Sequence, residues 1–376
     1  MRALILDGRC ARASLAAARA LAADGWVVAI GAPRPDGLAA VSRSVAAFHE
    51  VPLPEGGADA FASALAHAVE AGAYEVVFGS SDVDVLALSA VRARIGAAVP
   101  HPDHAALRHG MDKLALTRAA QRVGLAVPRT AEGDDEALPP PVVVKERVHG
   151  DLAAGAPAET LVAEVMGDPA AVRERVAAIR ARGGEAIVQE VVRGRLIAVT
   201  VVCDRERRIV ARAQQEALRT WPGDVGTSAR ARTVAIDETL AAAVQRLLAE
   251  LDWFGLAQVQ FVAPAGGAPH LIDLNPRFYG SLALAVGAGV NLPAIWARLA
   301  TGREVPPRVD AAAGVRYQWL EADLRQARQD RWGGSAWADG LGCLRWAAGA
   351  RHSIWSIRDA RPAARAAAAF ARERLP

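Results

Sequence analysis

Two short runs, FGLAQVQF at 254–261 and LIDLNPRFYGS at 271–281, carry the side chains best suited to chemistry. Both read as strands, Leu256–Val262 and His270–Asn275. The Gly- and Pro-rich Ala263–Pro269 between them fits a hairpin connection. A turn centred between Gly266 and Gly267 sets Gln260 opposite Asp273 and Gln258 opposite Asn275. Strand alternation then gathers those four on one face, with Val259, Phe261, Ile272 and Leu274 on the other, where they can bury. One carboxylate and three carboxamides on rigid strands are hard oxygen ligands of the kind Mg²⁺ takes. Arg277 follows at once, after the strand-ending Pro276, and suits a phosphate or carboxylate held beside a metal. On spacing alone, a solvated strand face is the competing explanation.

Two lysines upstream have positions that suit phosphate. Lys145 ends the β-branched strand Pro141–Lys145, so the strand holds its charge in place. Lys113 falls near the start of an amphipathic helix, Met111–Val123. A cation there opposes the helix dipole at a cost of about 0.3–1 kcal/mol, which a nearby anion would offset. A surface lysine is the commoner explanation. His101, His104 and His109 do not share a helical face, so His101–Gly110 reads as a polar connector and not as a metal site.

The elements that must position these residues fall into three parts. Residues 1–108 alternate strand and helix: strand Arg2–Leu6, helix Ala11–Ala23, strand Trp26–Ile30, helical or mixed patterns at Val41–Phe48 and Ala58–Ala71, and strand Tyr74–Phe78. That alternation implies a parallel sheet. The Asp7-Gly8-Arg9 turn lacks a GxGxxG, and Gly31 and Ala32 stand where a dinucleotide fold places an acid, so a nicotinamide role is disfavoured. Ser80, Ser81 and Asp82 end a strand and are placed to face a cleft. From 109 to 302 the pattern is mixed. It comprises a helix Ala170–Arg182 capped by Asp168, a strand Ala186–Val192, a hairpin of Leu196–Cys203 with Ile209–Gln215, a Gly-rich loop Thr220–Arg230, and a helix Asp237–Leu251. Residues 303–376 hold five of the nine tryptophans (Trp319, Trp332, Trp337, Trp346 and Trp355) and a basic Ala-rich helix Pro362–Arg374. These rings either cover a small subdomain core or line an acceptor pocket or homodimer contact.

Composition narrows the class. The 376 residues carry 44 Lys and Arg against 41 Asp and Glu, a net charge of +3, so nothing demands nucleic acid. Three scattered cysteines argue against a disulfide framework or zinc cluster. No apolar run approaches ~18 residues without a charge, and the apolar core of MRALILDGRC is too short for a signal peptide. The expectation is a cytoplasmic protein with no membrane partner.

The order of parts resembles the ATP-grasp superfamily over roughly residues 1–302. The likeness rests on Asp112-Lys113 followed by GLAVP, VVVK at 142–145, VQEVVRG at 188–194, the loop near 222–228, and VQF…LIDLNPRFYGS. Within that superfamily it is similar to predicted ligases related to carbamoyl-phosphate synthetase. The resemblance implies mixed α/β and α+β architecture: a pre-ATP-grasp parallel-sheet domain (1–108), a two-lobed ATP-grasp domain (109–302) and a small C-terminal subdomain (303–376). It implies that Lys113 and Lys145 hold the phosphates of ATP. It makes Gln189, Glu190 and Val192 part of the hinge beside the adenine. Gln260, Asp273 and Asn275 would ligate Mg²⁺ or Mn²⁺, and Arg277 would position the carboxyl group, with Lys145 also serving catalysis. Three departures stand out. Gln260 replaces the usual acid, as in carbamoyl-phosphate synthetase-like members, and leaves Asp273 as the lone carboxylate. Leu196 sits where many members carry a ribose-binding acid. The segment after Lys145 lacks the usual glycines.

The implied chemistry is ligation of a small-molecule carboxylate to an amine-type acceptor, such as an amino acid or peptide, through an acyl phosphate. Phosphoryl transfer needs chiefly positioning and charge neutralisation, which fits a site with Lys, Arg and Mg²⁺ and no evident nucleophile. The alternative is an ATP-binding or regulatory protein of the same fold without ligase activity, for which Gln260 and Leu196 leave room.

Overall fold

The computed structural model describes residues 1–133, 138–150, 163–223, 226–330 and 336–372. Three sheets organise it. The first holds β1 (Arg2–Leu6), β2 (Val27–Ala32), β3 (Ala47–Glu50) and β4 (Val76–Gly79) in the order β3-β2-β1-β4, all parallel. Helices α1 (Ala11–Ala23), α2 (Ala58–Gly72) and α3 (Asp82–Ala90) connect or follow these strands. The expected α1 matches residue for residue. Of the two helical or mixed patterns only Ala58–Ala71 forms a helix, and the end of the other, from Ala47, joins the sheet as β3.

The stretch expected to be a polar connector is instead helix α4 (His104–Met111), followed at once by α5 (Lys113–Arg122). Asp103 caps α4 by accepting from the Ala106 N–H at 2.8 Å, a start signal as legible as the histidines that drew attention. His101 is buried edge-on against Trp296, and burial pushes its imidazole down to about 3, so it is a neutral core residue.

The second sheet is small and antiparallel: β5 (Thr130–Glu132), β6 (Val142–Glu146), β7 (Glu164–Met166) and β8 (Ala186–Glu190), in the order β5-β8-β6-β7. Helix α6 (Pro169–Ala181) packs on it, with Asp168 accepting from the Ala170 and Ala171 amides as expected. The third sheet is the largest, with β9 (Arg195–Cys203), β10 (Ile209–Trp221), β11 (Thr227–Thr233), β12 (Gly255–Ala263), β13 (His270–Asn275), β14 (Val309–Asp310), β15 (Arg316–Gln318) and β16 (Ala350–His352). Its order is β13-β12-β9-β10-β11-β15-β16, with β14 beside β10. Strands β10 and β11 run into the stretch expected to be a Gly-rich loop, shortening it. Residues 224–225 of that loop lie outside the described residues, as do 151–157 of the segment after Lys145, and Trp332.

Helix α7 (Glu238–Glu250), capped by Asp237, packs with α4, α5, β9 and β12 around Trp253, Val259 and Phe261, all essentially sealed from solvent. On the other side, α1, α8 (Leu282–Gly287) and α9 (Leu292–Ala300) bury Trp296 and Phe278 against the first sheet. Strands after residue 303 extend the third sheet. Asp323 of α10 (Leu320–Asp330), fully buried, fixes this extension by accepting from Arg219 (2.7 Å), Arg230 (2.9 Å) and Gln318 (2.6 Å). Among the described residues no helix is long and apolar enough to cross a membrane.

The hairpin register is as expected at its chemical end: Gln258 pairs with Asn275 and Gln260 with Asp273. A bulge then intervenes, because Phe261 pairs with Leu271, leaving Ile272 the extra residue. The expected floor residue Ile272 is therefore half-buried, and Leu271 takes its place in the core, 1% exposed. Leu271→Ala is expected to cost about 2 kcal/mol more stability than Ile272→Ala, read by urea denaturation. Equal costs would contradict the bulge.

Candidate functional site

The three sheets meet at the Asn275 end of the hairpin. The bulge gives that meeting its first contact: Lys145, on β6 of the small sheet, donates from Nζ to the Ile272 carbonyl at 3.0 Å. Lys145 is 8% exposed. Burial pushes its ammonium down to about 8, with Asp273 pulling it back up and Lys113 pushing it further down. Lys145 thus lies within reach of the charges of both Asp273 and Lys113. Lys113 is the first residue of α5 and is also buried. Its helix start is fixed from both sides. Asp112 accepts from the Leu114 and Ala115 amides, and Arg147 just beyond β6 pairs with Asp112 at 2.7 Å. The Lys113 amide donates to the Arg147 carbonyl at 3.0 Å, tying α5 to the end of the strand that carries Lys145.

Lys113 Nζ lies 3.3 Å from His149 Nε2. An ammonium can only donate, so Nε2 accepts and the ring proton sits on Nδ1. Nδ1 is 3.6 Å from Asp82 Oδ2, at the start of α3. Asp82 in turn accepts from Arg277 Nε at 2.6 Å and Nη2 at 3.2 Å. Burial pushes Asp82 up, but Arg277 and His149 outweigh it and hold the carboxyl well below the usual carboxylate range. The same pair keeps Arg277 above its ordinary value in spite of burial. A run of contacts, Lys113–His149–Asp82–Arg277, therefore joins the lysine of α5 to the hairpin arginine past the start of α3.

Of the three residues that end the strand, Asp82 reaches the hairpin arginine and His149. Ser80 and Ser81 turn inward instead, where both engage Asp84 and Ser81 forms a capping box with it. His149 carries no sequence signal, since it follows the strand in a stretch without a motif. The Asp82 partnership is hidden because 195 residues separate it from Arg277.

The donor set on the hairpin fits a hard cation. Asp273 Oδ1 accepts from the neighbouring Leu274 amide at 3.0 Å. Asn275 donates from Nδ2 to Gln258 Oε1 at 3.2 Å, which turns its own carbonyl oxygen away from that contact. Gln260, Asp273 and Asn275 are all half-buried on one face, so their oxygens remain reachable. The described residues hold no group of three or more His, Cys, Asp or Glu that could hold a metal. A cation here would rest on one carboxylate, two carboxamides and whatever phosphate came with it, a pattern Mg²⁺ tolerates and a zinc site does not.

The residues expected at the hinge lie where the small sheet gives way to the large one. Gln189, on β8, is buried and donates to Thr130 Oγ1 at 2.8 Å. Glu190 accepts from the Arg129 amide at 3.0 Å and Arg129 Nε at 2.9 Å, and those bonds hold it below its ordinary value. Both side chains are committed to β5 and its approach. Val192 lies in the short connector to β9, half-buried. That connector runs close under the hairpin: a Cβ on Gly194 would sit 2.3 Å from the Ala263 carbonyl oxygen, so only glycine fits. Leu196, where an acid was sought, pairs with Val262 in the large sheet. The structure thus brings together Lys113, Lys145, Asp273, Asn275, Gln260 and Arg277, with Gln189, Glu190 and Val192 along the adjoining connector.

Comparison with known proteins bears on this arrangement. Residues 184–323 match the model of a family described as ATP-grasp in the biosynthetic pathway with Ter operon. No curated protein matches the chain. Solved structures similar to it include N5-carboxyaminoimidazole synthetase from Staphylococcus aureus, at 14% identity and a TM-score of 0.64, covering 88% of this chain and 85% of that one. Biotin carboxylase from Campylobacter jejuni gives 14% identity, a TM-score of 0.62, and coverage of 84% and 74%. L-amino acid ligase from Bacillus licheniformis gives 15%, 0.60, and coverage of 80% and 74%. The chain therefore has the fold of these enzymes along most of its length, and its residues 184–323 match an ATP-grasp family model.

Proposed function

We propose that the protein is an ATP-dependent ligase that activates a small-molecule carboxylate as an acyl phosphate and joins it to an amine-type acceptor. The observation that carries this reading is the convergence of two buried lysines, from different elements, on the oxygen-rich face of the hairpin. Buried ammonium groups are costly unless an anion completes them. Here Lys113 rests on an imidazole and Lys145 on a main-chain carbonyl, both neutral acceptors that a phosphate would outcompete. The names of the similar structures agree with the reading: they include an L-amino acid ligase, a biotin carboxylase bound to a β,γ-ATP analogue, and carboxylases or synthetases with ADP.

In this scheme residues 109–302 hold the nucleotide, with Lys113 and Lys145 on its phosphates and the Gln189–Val192 stretch along the base. Residues 1–108 and 303–376 close the acceptor side. A carboxylate oxygen attacks the γ-phosphorus and ADP leaves. The amine then attacks the acyl carbon, phosphate departs, and the amine loses a proton. Arg277 orients the carboxylate, and Asp82 holds that guanidinium in place. Gln260, Asp273 and Asn275 would hold Mg²⁺, or Mn²⁺ in its stead, which supplies neutralisation of phosphate charge. Lysines and arginine do the rest by position, as phosphoryl transfer requires.

The test is ADP release with Mg²⁺ against a panel of carboxylates, with and without amines. Release that depends on one carboxylate is expected. ATP binding without any carboxylate-dependent release would leave the second reading, a nucleotide-binding protein without ligase activity, which the single carboxylate of the hairpin favours.

A further inference from the structure

We infer that Arg12 and Trp319 form a subsite for an oxyanion, a carboxylate or phosphate, carried by the amine-type substrate beside the reaction centre. This rests on the ligase reading and narrows its acceptor to amines that bear an anionic group.

Arg12 lies in the first turn of α1, at the C-terminal edge of the parallel sheet. Its guanidinium stacks on Trp319, with the central carbon 3.5 Å from the ring centroid. Its Nη1 donates to Tyr317 Oη at 3.3 Å, and that hydroxyl donates on to the Gly280 carbonyl at 2.8 Å. The fork also lies against Gly280: a Cβ there would sit 3.0 Å from Nη2 and 3.1 Å from Nη1. Gly280 is three residues beyond Arg277, and Cys10, two residues before Arg12, feels the charges of both Arg277 and Asp82. Arg12 therefore borders the end of the run of contacts that joins Arg277 to Lys113.

Three other partly buried arginines around α1 and the hairpin have carboxylate partners: Arg19 with Asp359, Arg277 with Asp82, Arg298 with Asp24. Among the described residues Arg12 has a hydroxyl and a ring, and no carboxylate. Stacking fixes the fork's plane and uses none of its N–H donors, so a planar oxyanion finds them already ordered. Trp319 is itself held: its amide donates to the Ala229 carbonyl at 2.8 Å and its carbonyl accepts from the Asp323 amide at 2.9 Å. Asp82 already offsets Arg277, whereas Arg12 keeps donors for a second anionic group.

The experiment is calorimetric titration of the full chain, loaded with Mg²⁺ and a non-hydrolysable ATP analogue. The probes are the L-amino acids, their primary amides, and simple aminoalkyl phosphates. At least one amino acid or aminoalkyl phosphate is expected to bind, with the matching neutral amide or amine at least about tenfold weaker, the scale of a lost charge-assisted bond. Arg12→Gln should erase that difference, and Arg12→Lys should keep part of it, which a folding defect would not do. Carboxylates alone or phosphates alone binding identifies the oxyanion. Equal binding of anionic and neutral probes, a difference that survives Arg12→Gln, or no binding of either probe class would overturn the inference. Carboxylate-dependent ADP release is measured separately, so the subsite can fail while the ligase reading stands, and the reverse.

Discussion

Asp273→Asn is expected to lower carboxylate-dependent ADP release by roughly 10³-fold while leaving the fold intact. The argument is electrostatic. The proposed cation would rest on two carboxamides and one carboxylate, so the substitution removes the only protein charge among its ligands. Losing a single preorganised donor to developing charge costs about 10²–10³-fold in other enzymes, and a metal carries more charge than one such donor meets. The structural cost should be small. Asp273 is half-buried, and the hydrogen bond it accepts from the Leu274 amide can be made equally by an asparagine oxygen. Unfolding midpoints within a degree or two of the parent, together with a raised Mg²⁺ requirement, are the expected companions. A variant with parental activity would show that the hairpin does not hold the metal.

The hairpin could be read in advance because its information is local. A Gly- and Pro-rich connection marks the hairpin and alternation sets its faces; the turn itself centres on Gly266, and Gln260–Asp273 and Gln258–Asn275 pair as expected because the bulge shifts the register by one. The bulge at Ile272 escaped that logic, although it frees the carbonyl that receives Lys145. Its cause is tertiary: both Leu271 and Leu274 enter the core under α7, and an odd spacing between two inward residues demands an extra one. Likewise the parallel sheet and α1 follow from strand–helix alternation, whereas α4 went unseen because its histidines and arginine masked a simple Asp103 cap. The elements that carry the motif residues were legible. The partners that orient them were not. His149 and Asp82 matter only once three sheets meet, and no periodicity reports a contact between residues 82 and 277. Trp319 shows the same limit, since its clustering with other tryptophans says nothing of the arginine that lies on it.

Lys145→Met is expected to make the protein more stable and much less able to bind ATP. Burial holds the Lys145 ammonium down near 8, whereas in the unfolded chain it titrates at about 10.4. Between those values the unfolded chain binds more protons than the folded one, so wild-type stability should rise with pH through that window. Below about pH 8 both states are charged and the folded state bears the whole penalty, on the order of 3 kcal/mol from a shift of two to three units. Methionine is of similar length, carries no charge to bury, and gives up only the bond to the Ile272 carbonyl, worth about 1.5–3 kcal/mol with a charged donor. A net gain of about 1 kcal/mol at pH 7 follows, with the rise between pH 8 and 10 absent from the variant. ATP affinity should fall by about 10²-fold, because a charge-assisted contact to phosphate is lost from a buried position where water cannot replace it. Denaturation at several pH values and nucleotide titration decide the matter together. A variant that loses stability at pH 7 and keeps its ATP affinity would mean that Lys145 braces the two sheets and has no part in holding phosphate.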